Sequence, residues 1–278
     1  MSEAHTSNSH IVVRDAVIEL GEKKDRFRAV DRVSFDIAAG QFVCLLGPSG
    51  CGKSTLLGAL AGHIPVTGGS LSLNGQNIQG PSSERGLVFQ QHTLFPWMRV
   101  IDNVAFGLKM KGVAKAERQA RALELLRLVG LGGFENKYPI QLSGGMQQRV
   151  EIARVLINQP QVLLMDEPFA ALDAQTRWVM QRLLLDVWAK IGTTVVFVTH
   201  DIDEALFLAD RVLVMSQRPG RIREDIAIPA ARPRGDAWVT SDDFIHLKRH
   251  CLELMRDEHR RNFADSLDNA GDFAGAFI

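Results

Sequence analysis

Residues 47–55, GPSGCGKST, match the spacing G-x-x-x-x-G-K-[ST], between a short apolar run, FVCLLG, and an apolar helical stretch, KSTLLGALA. This juxtaposition constrains the fold more than any other feature of the chain. A backbone that wraps a large anion needs residues without a Cβ at its tightest points, and Gly50 and Gly52 supply them. The helix that follows aims its free N–H groups and its positive end at the same place. Lys53 is set to reach the terminal phosphates of a polyphosphate, and the Ser54 hydroxyl to ligate Mg²⁺. Gly47, Pro48, Ser49, Cys51 and Thr55 complete the cradle. A strand, this loop and a helix in succession point to a parallel α/β layer.

The remaining pattern is consistent with that layer. QVLLMDEP, TTVVFVTH and RVLVMS are strand-length apolar runs separated by helical stretches such as AQTRWVMQRLLLDVWAK, the arrangement of a parallel sheet covered on both faces. From Ile11 to Phe42 short alternating runs predict antiparallel strands, with turns at Gly21 and at Ala39-Gly40. GSLSLNGQNI carries Asn74-Gly75, a tight hairpin turn. Residues 91 to about 160 are mostly helical, with Ala122, Leu125, Leu126 and Val129 on one helix face. Residues 1–10 are expected to be disordered. The Pro- and Arg-rich stretch after Gly220 reads as a connector, SDDFIHLKRHCLELMRDEHRRN as an amphipathic helix with an acidic start, and the last fifteen residues or so as loose.

Composition closes off several alternatives. Lys plus Arg and Asp plus Glu are 32 each among 278 residues, so no overall field draws the chain to nucleic acid. Cys44, Cys51 and Cys251 are too few and too scattered for a disulfide framework, which points to a reducing cytosol. No apolar run approaches the roughly 20 residues that span a bilayer, and no signal peptide is visible. Any work at a membrane would depend on another chain.

Two further motifs narrow the chemistry. VLLMDEP ends a buried strand in Asp166, placed to approach Mg²⁺, and Glu167, placed to polarise an attacking water. LSGGMQQRVEIARVLI starts a long helix with Ser143, Gly144 and Gly145, a second anion-binding helix terminus in a chain with one glycine loop. With these motifs in this order, the chain resembles the ATP-binding cassette family, whose signature is LSGG followed by QQR. The resemblance covers about Ile11 to Arg223. It implies a P-loop NTPase core of RecA-like parallel-sheet type, an antiparallel β subdomain and an inserted helical subdomain at about 91–160. Residues 224–278 would form a short C-terminal extension.

The resemblance also implies roles. Gln90 matches the glutamine that contacts Mg²⁺ and the water, Asp173 the aspartate at the dimer seam, and His200 the histidine that bonds the γ-phosphate and Glu167. Lys53, Gln90, Glu167 and His200 are then the catalytic set, and Ser54, Gln90 and Asp166 the Mg²⁺ set. Ser143, Gly144, Gly145 and Gln147 would face ATP held by a second copy. The family stacks adenine on an aromatic residue ahead of the glycine loop; here Leu20 and Phe27 are the two choices. Leu94, Phe95, Pro96 and Trp97 read either as local core or as a pocket for a short helix of a membrane partner. Cys51 reads either as a thiol that ATP would protect from reagents or as a small tolerated side chain.

GPSSERGLVFQQHTLFPW, DEPFAALDAQTR, THDIDEALFLADRVLVMSQRPGRI and DDFIHLKRHCLELM resemble the nitrate, sulfonate and taurine importer branch. That implies an ATPase on the cytoplasmic face of the bacterial inner membrane, with two permease subunits and an extracytoplasmic solute-binding protein. Bicarbonate, cyanate and aromatic acids are further cargoes of the branch.

Overall fold

A computed structural model of the chain describes residues 9–22 and 25–256. The expectations for residues 1–8 and for the last fifteen residues lie outside that range. Strands β1 (Ser9–Leu20), β2 (Phe27–Ala38), β4 (Gly68–Leu73) and β5 (Gln76–Asn77) form an antiparallel sheet in the order β2-β1-β4-β5. Its first strand already includes Ser9 and His10, inside the stretch expected to be disordered. The turns fall where their residue types place them: Gly21, Gly40, Asn74 and Gly75 all have positive φ.

The second sheet has six strands in the order β10-β9-β3-β8-β7-β6. They are β3 (Phe42–Leu46), β6 (Arg85–Val88), β7 (Val162–Asp166), β8 (Thr194–Thr199), β9 (Arg211–Met215) and β10 (Ile222–Ala227). All neighbours are parallel except β9 and β10. Strands buried on both faces divide the interior by side-chain parity. Val43, Leu45, Leu164, Val196 and Val198 join the antiparallel sheet and helix α1 (Lys53–Ala61) in one core. Phe42, Cys44, Leu46, Met165 and Phe197 face the other core, with the remaining helices.

Helices α2 (Val100–Val104), α3 (Phe106–Met110), α4 (Lys115–Leu128) and α5 (Gly144–Leu156) all lie between β6 and β7. The predicted face holds, with Ala122, Leu126 and Val129 buried and Leu125 packed against them. Helices α6 (Ala174–Ile191), α7 (Ile202–Leu208) and α8 (Asp236–Val239) follow, and α9 occupies 242–256.

The stretch after Gly220 differs from its reading as a connector. Ile222–Ala227 is the edge strand β10, paired with β9. Beyond it, Arg232 lies over the Trp188 ring at 4.3 Å, and the buried Arg234 donates to Phe207 O and Ala209 O at the end of α7. Burial, with the charge of Arg232 beside it, pushes Arg234 down to about 10. Helix α9 is seated on the rest of the fold through buried Phe244 and Cys251 and through Lys248 Nζ, 2.7 Å from Asp203 Oδ2.

Candidate nucleotide site

The register of the parallel sheet builds the site. Leu46 is opposite Thr199, Asp166 opposite Val198, and Val88 opposite Met165. The residues that continue these strands therefore leave one sheet edge together: Gly47 after β3, His200 after β8, Glu167 after β7 and Gln90 just beyond β6. Ligands in open α/β sheets sit at this carboxyl edge. A cavity of about 410 Å³ lies there, lined by Leu20, Phe27, Ala29, Ser49, Gly50, Gly52, Lys53, Ser54, Thr55, Gln90, Glu167 and Arg218.

Within it the glycine loop is held in a form only glycine takes easily. Gly52 has φ of 103°, and a Cβ there would come within 2.7 Å of Ala29 O. Lys53, only 4% exposed, donates to Gly47 O at 2.8 Å and Pro48 O at 2.9 Å, and its Nζ is 3.9 Å from Glu167 Oε1. Ser54 Oγ donates to Asp166 Oδ1 at 2.8 Å. Burial raises the Asp166 carboxyl above its usual range despite that bond. These oxygen donors are hard, as Mg²⁺ requires. Among the described residues no group of three or more His, Cys, Asp and Glu gathers to hold a metal, so a cation here would also rely on Ser54, Gln90 and phosphate oxygens.

Glu167 has a φ of 43°, with its N–H bonded to Val198 O at 3.0 Å, and its Oε2 is 2.9 Å from His200 Nδ1. His200 is half exposed, whereas Glu167 is 16% exposed. Cys51 is 1% exposed, and burial pushes its thiol up; both properties oppose reagent sensitivity and favour the small-side-chain reading.

The signature residues are elsewhere. Ser143 caps α5, its Oγ accepting from Met146 N at 3.4 Å, and a Cβ on Gly144 would have nothing nearer than 3.9 Å. None of Ser143, Gly144 and Gly145 is among the described residues that line the Lys53 cavity. Gln147 Nε2 donates to Pro139 O at 3.0 Å and Leu142 O at 3.3 Å, tying down the turn that leads into this helix. Asp173 caps α6, accepting from Gln175 N and Thr176 N. The Thr176 hydroxyl and these amides hold its carboxyl below the usual range.

Arg218 is a cavity residue that the motifs did not single out. Its guanidinium lies 4.5 Å from the Phe27 ring centroid. Its loop is pinned to β2: Gly220 N donates to Ala29 O, Asp31 N to Gly220 O, and Arg221 Nε to Asp31 Oδ2, each at 2.9 Å. The sequence signal for it is the turn dipeptide Pro219-Gly220, a few residues beyond the end of β9.

Comparison with known proteins agrees with this geometry. Residues 30–170 match the family model described as ABC transporter. The chain is 59% identical over 194 residues to a taurine import ATP-binding protein of Rhizobium johnstonii, covering 70% of this chain and 74% of the relative. It is 50% identical over 234 residues to an uncharacterized ABC transporter ATP-binding protein of Methanocaldococcus jannaschii, covering 84% and 86%. A solved ATP-binding cassette, dimeric in a post-hydrolysis state with ADP and Pi, superposes with a TM-score of 0.70 at 32% identity, over 80% of this chain and all of that one. The chain thus has the fold that such cassettes share, and it belongs to the ABC transporter family as one of its ATPase cassettes.

Proposed function

We propose that the chain powers an importer for small anionic solutes of the sulfonate type, working as a head-to-tail pair that closes on two ATP molecules. The observation that carries this reading is the separation of the signature loop from the Lys53 cavity. A 13-residue helix opens at Gly144 behind its cap Ser143, and such a helix start is a favourable place for phosphate, yet it contributes nothing to the lining of its own chain's cavity. A second copy turned head to tail gives that terminus a nucleotide to meet.

In this reading Lys53 exchanges the carbonyls of Gly47 and Pro48 for the β- and γ-phosphates. Ser54, Asp166 and Gln90 would hold Mg²⁺, which when bound would neutralise charge on those phosphates. Glu167 takes a proton from the attacking water, and His200, bonded to Glu167, keeps the carboxylate turned toward it. Closure of the pair excludes water from the site, and hydrolysis reopens it. Phe27, exposed in the cavity, is the platform for the base, and Leu20 widens the apolar floor. Phe27→Ala is expected to weaken ATP binding by about 1–3 kcal/mol, the worth of one base–aromatic stack, while Leu20→Ala changes it little; equilibrium binding of a fluorescent ATP analogue measures both.

The segment after Gln90 divides between its two readings. Leu94 is 9% exposed and belongs to the core. Phe95 instead lines a groove of about 490 Å³ with Arg85, Phe106, Met110, Lys111 and Arg154. Trp97 is 74% and Met110 70% exposed. A groove with an apolar floor and a basic rim suits a short helix of a permease subunit. Met110→Glu is expected to cut solute uptake in permease vesicles at least about tenfold, the cost of a hot-spot residue, with basal ATPase within about twofold. Equal loss of uptake and basal hydrolysis contradicts the groove assignment.

No helix among the described residues is long and apolar enough to cross a membrane. Two permease subunits and an extracytoplasmic binding protein complete the assembly at the cytoplasmic face of the inner membrane. The relatives named for taurine import support the cargo class. Reconstitution with its permease and binding protein tests it: taurine or another sulfonate should stimulate ATP hydrolysis. Stimulation by a different solute class alone overturns the cargo, and absence of hydrolysis overturns the enzyme.

A further inference from the structure

We infer that Glu151 is a positioning residue that ties the Gln90 loop to the signature helix, so that the two ATP sites of a pair move together. The inference rests on the roles proposed above for Gln90 and Ser143. Glu151 lies in the middle of α5, two turns from its signature end, and its side chain is 2% exposed. A carboxylate buried this deeply is costly unless several donors satisfy it. Here the donors come from the loop that carries Gln90. Thr93 N donates to Glu151 Oε1, and Thr93 Oγ1 donates to the same oxygen at 3.2 Å.

Arg154, one turn further along α5, holds the other side of Thr93. Its Nη1 donates to Thr93 O at 2.8 Å, and its guanidinium lies 5.5 Å from the Phe95 ring centroid, in the proposed permease groove. Glu151 Oε2 has no hydrogen-bond partner; His92 Nδ1 lies 3.5 Å from it, and the Arg154 guanidinium lies 3.9 Å from Oε1. The other nitrogen of that ring, Nε2, is the atom nearest to where a Cβ on Gly144 would lie, at 3.9 Å.

The backbone of residue 93 is therefore clamped to α5 by both its N–H and its C=O. Gln90 stands three residues before the clamp, Phe95 two residues after it, and Ser143 at the head of the same helix. A shift of Gln90 on meeting its own ATP, or of Phe95 on meeting the permease, is transmitted to the signature turn that serves the other ATP. Glu151 touches neither nucleotide, so its effect is on closure and not on loading of the site.

The test uses the full chain as wild type, Glu151→Ala, Glu151→Gln and Thr93→Ala. ATP affinity is measured by equilibrium binding, kcat and KM by phosphate release, and loop attachment by amide exchange over residues 90–97. For Glu151→Ala the expected result is a kcat lowered about ten- to a hundredfold, the loss of a charged hydrogen-bonded link, with KM and ATP affinity within about twofold and faster exchange at residue 93. Glu151→Gln retains the accepting oxygen and restores kcat to within about threefold of wild type. Thr93→Ala lowers kcat in the same direction by less, and gives the answer by itself if Glu151→Ala does not fold. An unchanged kcat in both alanine variants overturns the inference, as does a loss of ATP affinity that accounts for the whole effect. Absence of hydrolysis in wild type is a different outcome, and it overturns the proposed function on which the inference stands.

Discussion

Glu167→Gln is expected to slow steady-state ATP hydrolysis by about 10²–10⁴-fold, the worth of a general base, while ATP binding stays intact. The separation of the two effects follows from the geometry. Glu167 Oε1 stands 3.9 Å from Lys53 Nζ, whereas Lys53 is fixed by two closer carbonyls. Glutamine has the same shape, fits the same 16%-exposed position, and leaves the N–H bond to Val198 O untouched. What it loses is the capacity to take a proton. A trapped, ATP-loaded pair should accumulate in its place, visible as a dimer by size-exclusion chromatography with ATP and Mg²⁺. Phosphate release within a few-fold of wild type would remove Glu167 from the role of base.

Gly144→Asp is expected to lower hydrolysis at least about 10²-fold, as the loss of a preorganised anion site does elsewhere. Gly144 suits this test better than its neighbour. A Cβ on Gly145 would lie 2.9 Å from Thr176 Cγ2, so a change there disturbs the packing of α5 on α6. At Gly144 the surroundings are open to 3.9 Å, and its φ is negative, so a side chain strains nothing within its own chain. The added carboxylate instead meets whatever phosphate the helix terminus faces. ATP affinity of the separate chain should be unchanged, because the Lys53 cavity does not include this residue. Reduced affinity in the separate chain would place the signature in its own chain's site.

The sequence made the site legible where a motif ends a strand. Leu46, Asp166 and Thr199 are recognisable as strand ends because apolar runs lead into them and Gly, Glu and His follow, whereas β6 before Gln90 is not read as a strand from the sequence. That these strands are neighbours, and that their ends are level, is a property of the register and not of any one segment. The antiparallel turns could be read because Asn74-Gly75 and Gly40 have the backbone freedom their turns demand.

Elsewhere local pattern misled. IREDIA is an edge strand with Ile226 as its one buried residue, so its charges made it resemble a connector. Arg234 lies in the same Pro- and Arg-rich stretch, yet its guanidinium fits the carbonyls at the end of α7, a partner twenty-five or more residues away in the chain. Gln147 shares the signature segment, but its amide closes the preceding turn. Glu151 is a charged residue inside that helix which no motif singles out. Its burial depends on Thr93, a loop residue 58 positions earlier, and no periodicity reports that.

Mixing two inactive variants tests the pairing directly. Lys53→Ala removes the cradle cation from one variant and Gly144→Asp the signature from the other, so each variant alone forms pairs with both sites broken. If the signature serves the twin's ATP, a mixed pair has one site with both lesions and one with neither, and hydrolysis should return on mixing in proportion to the mixed fraction. If each chain completes its own site, no combination of the two variants contains an intact one. A mixture that exchanges subunits yet stays inactive would contradict the account.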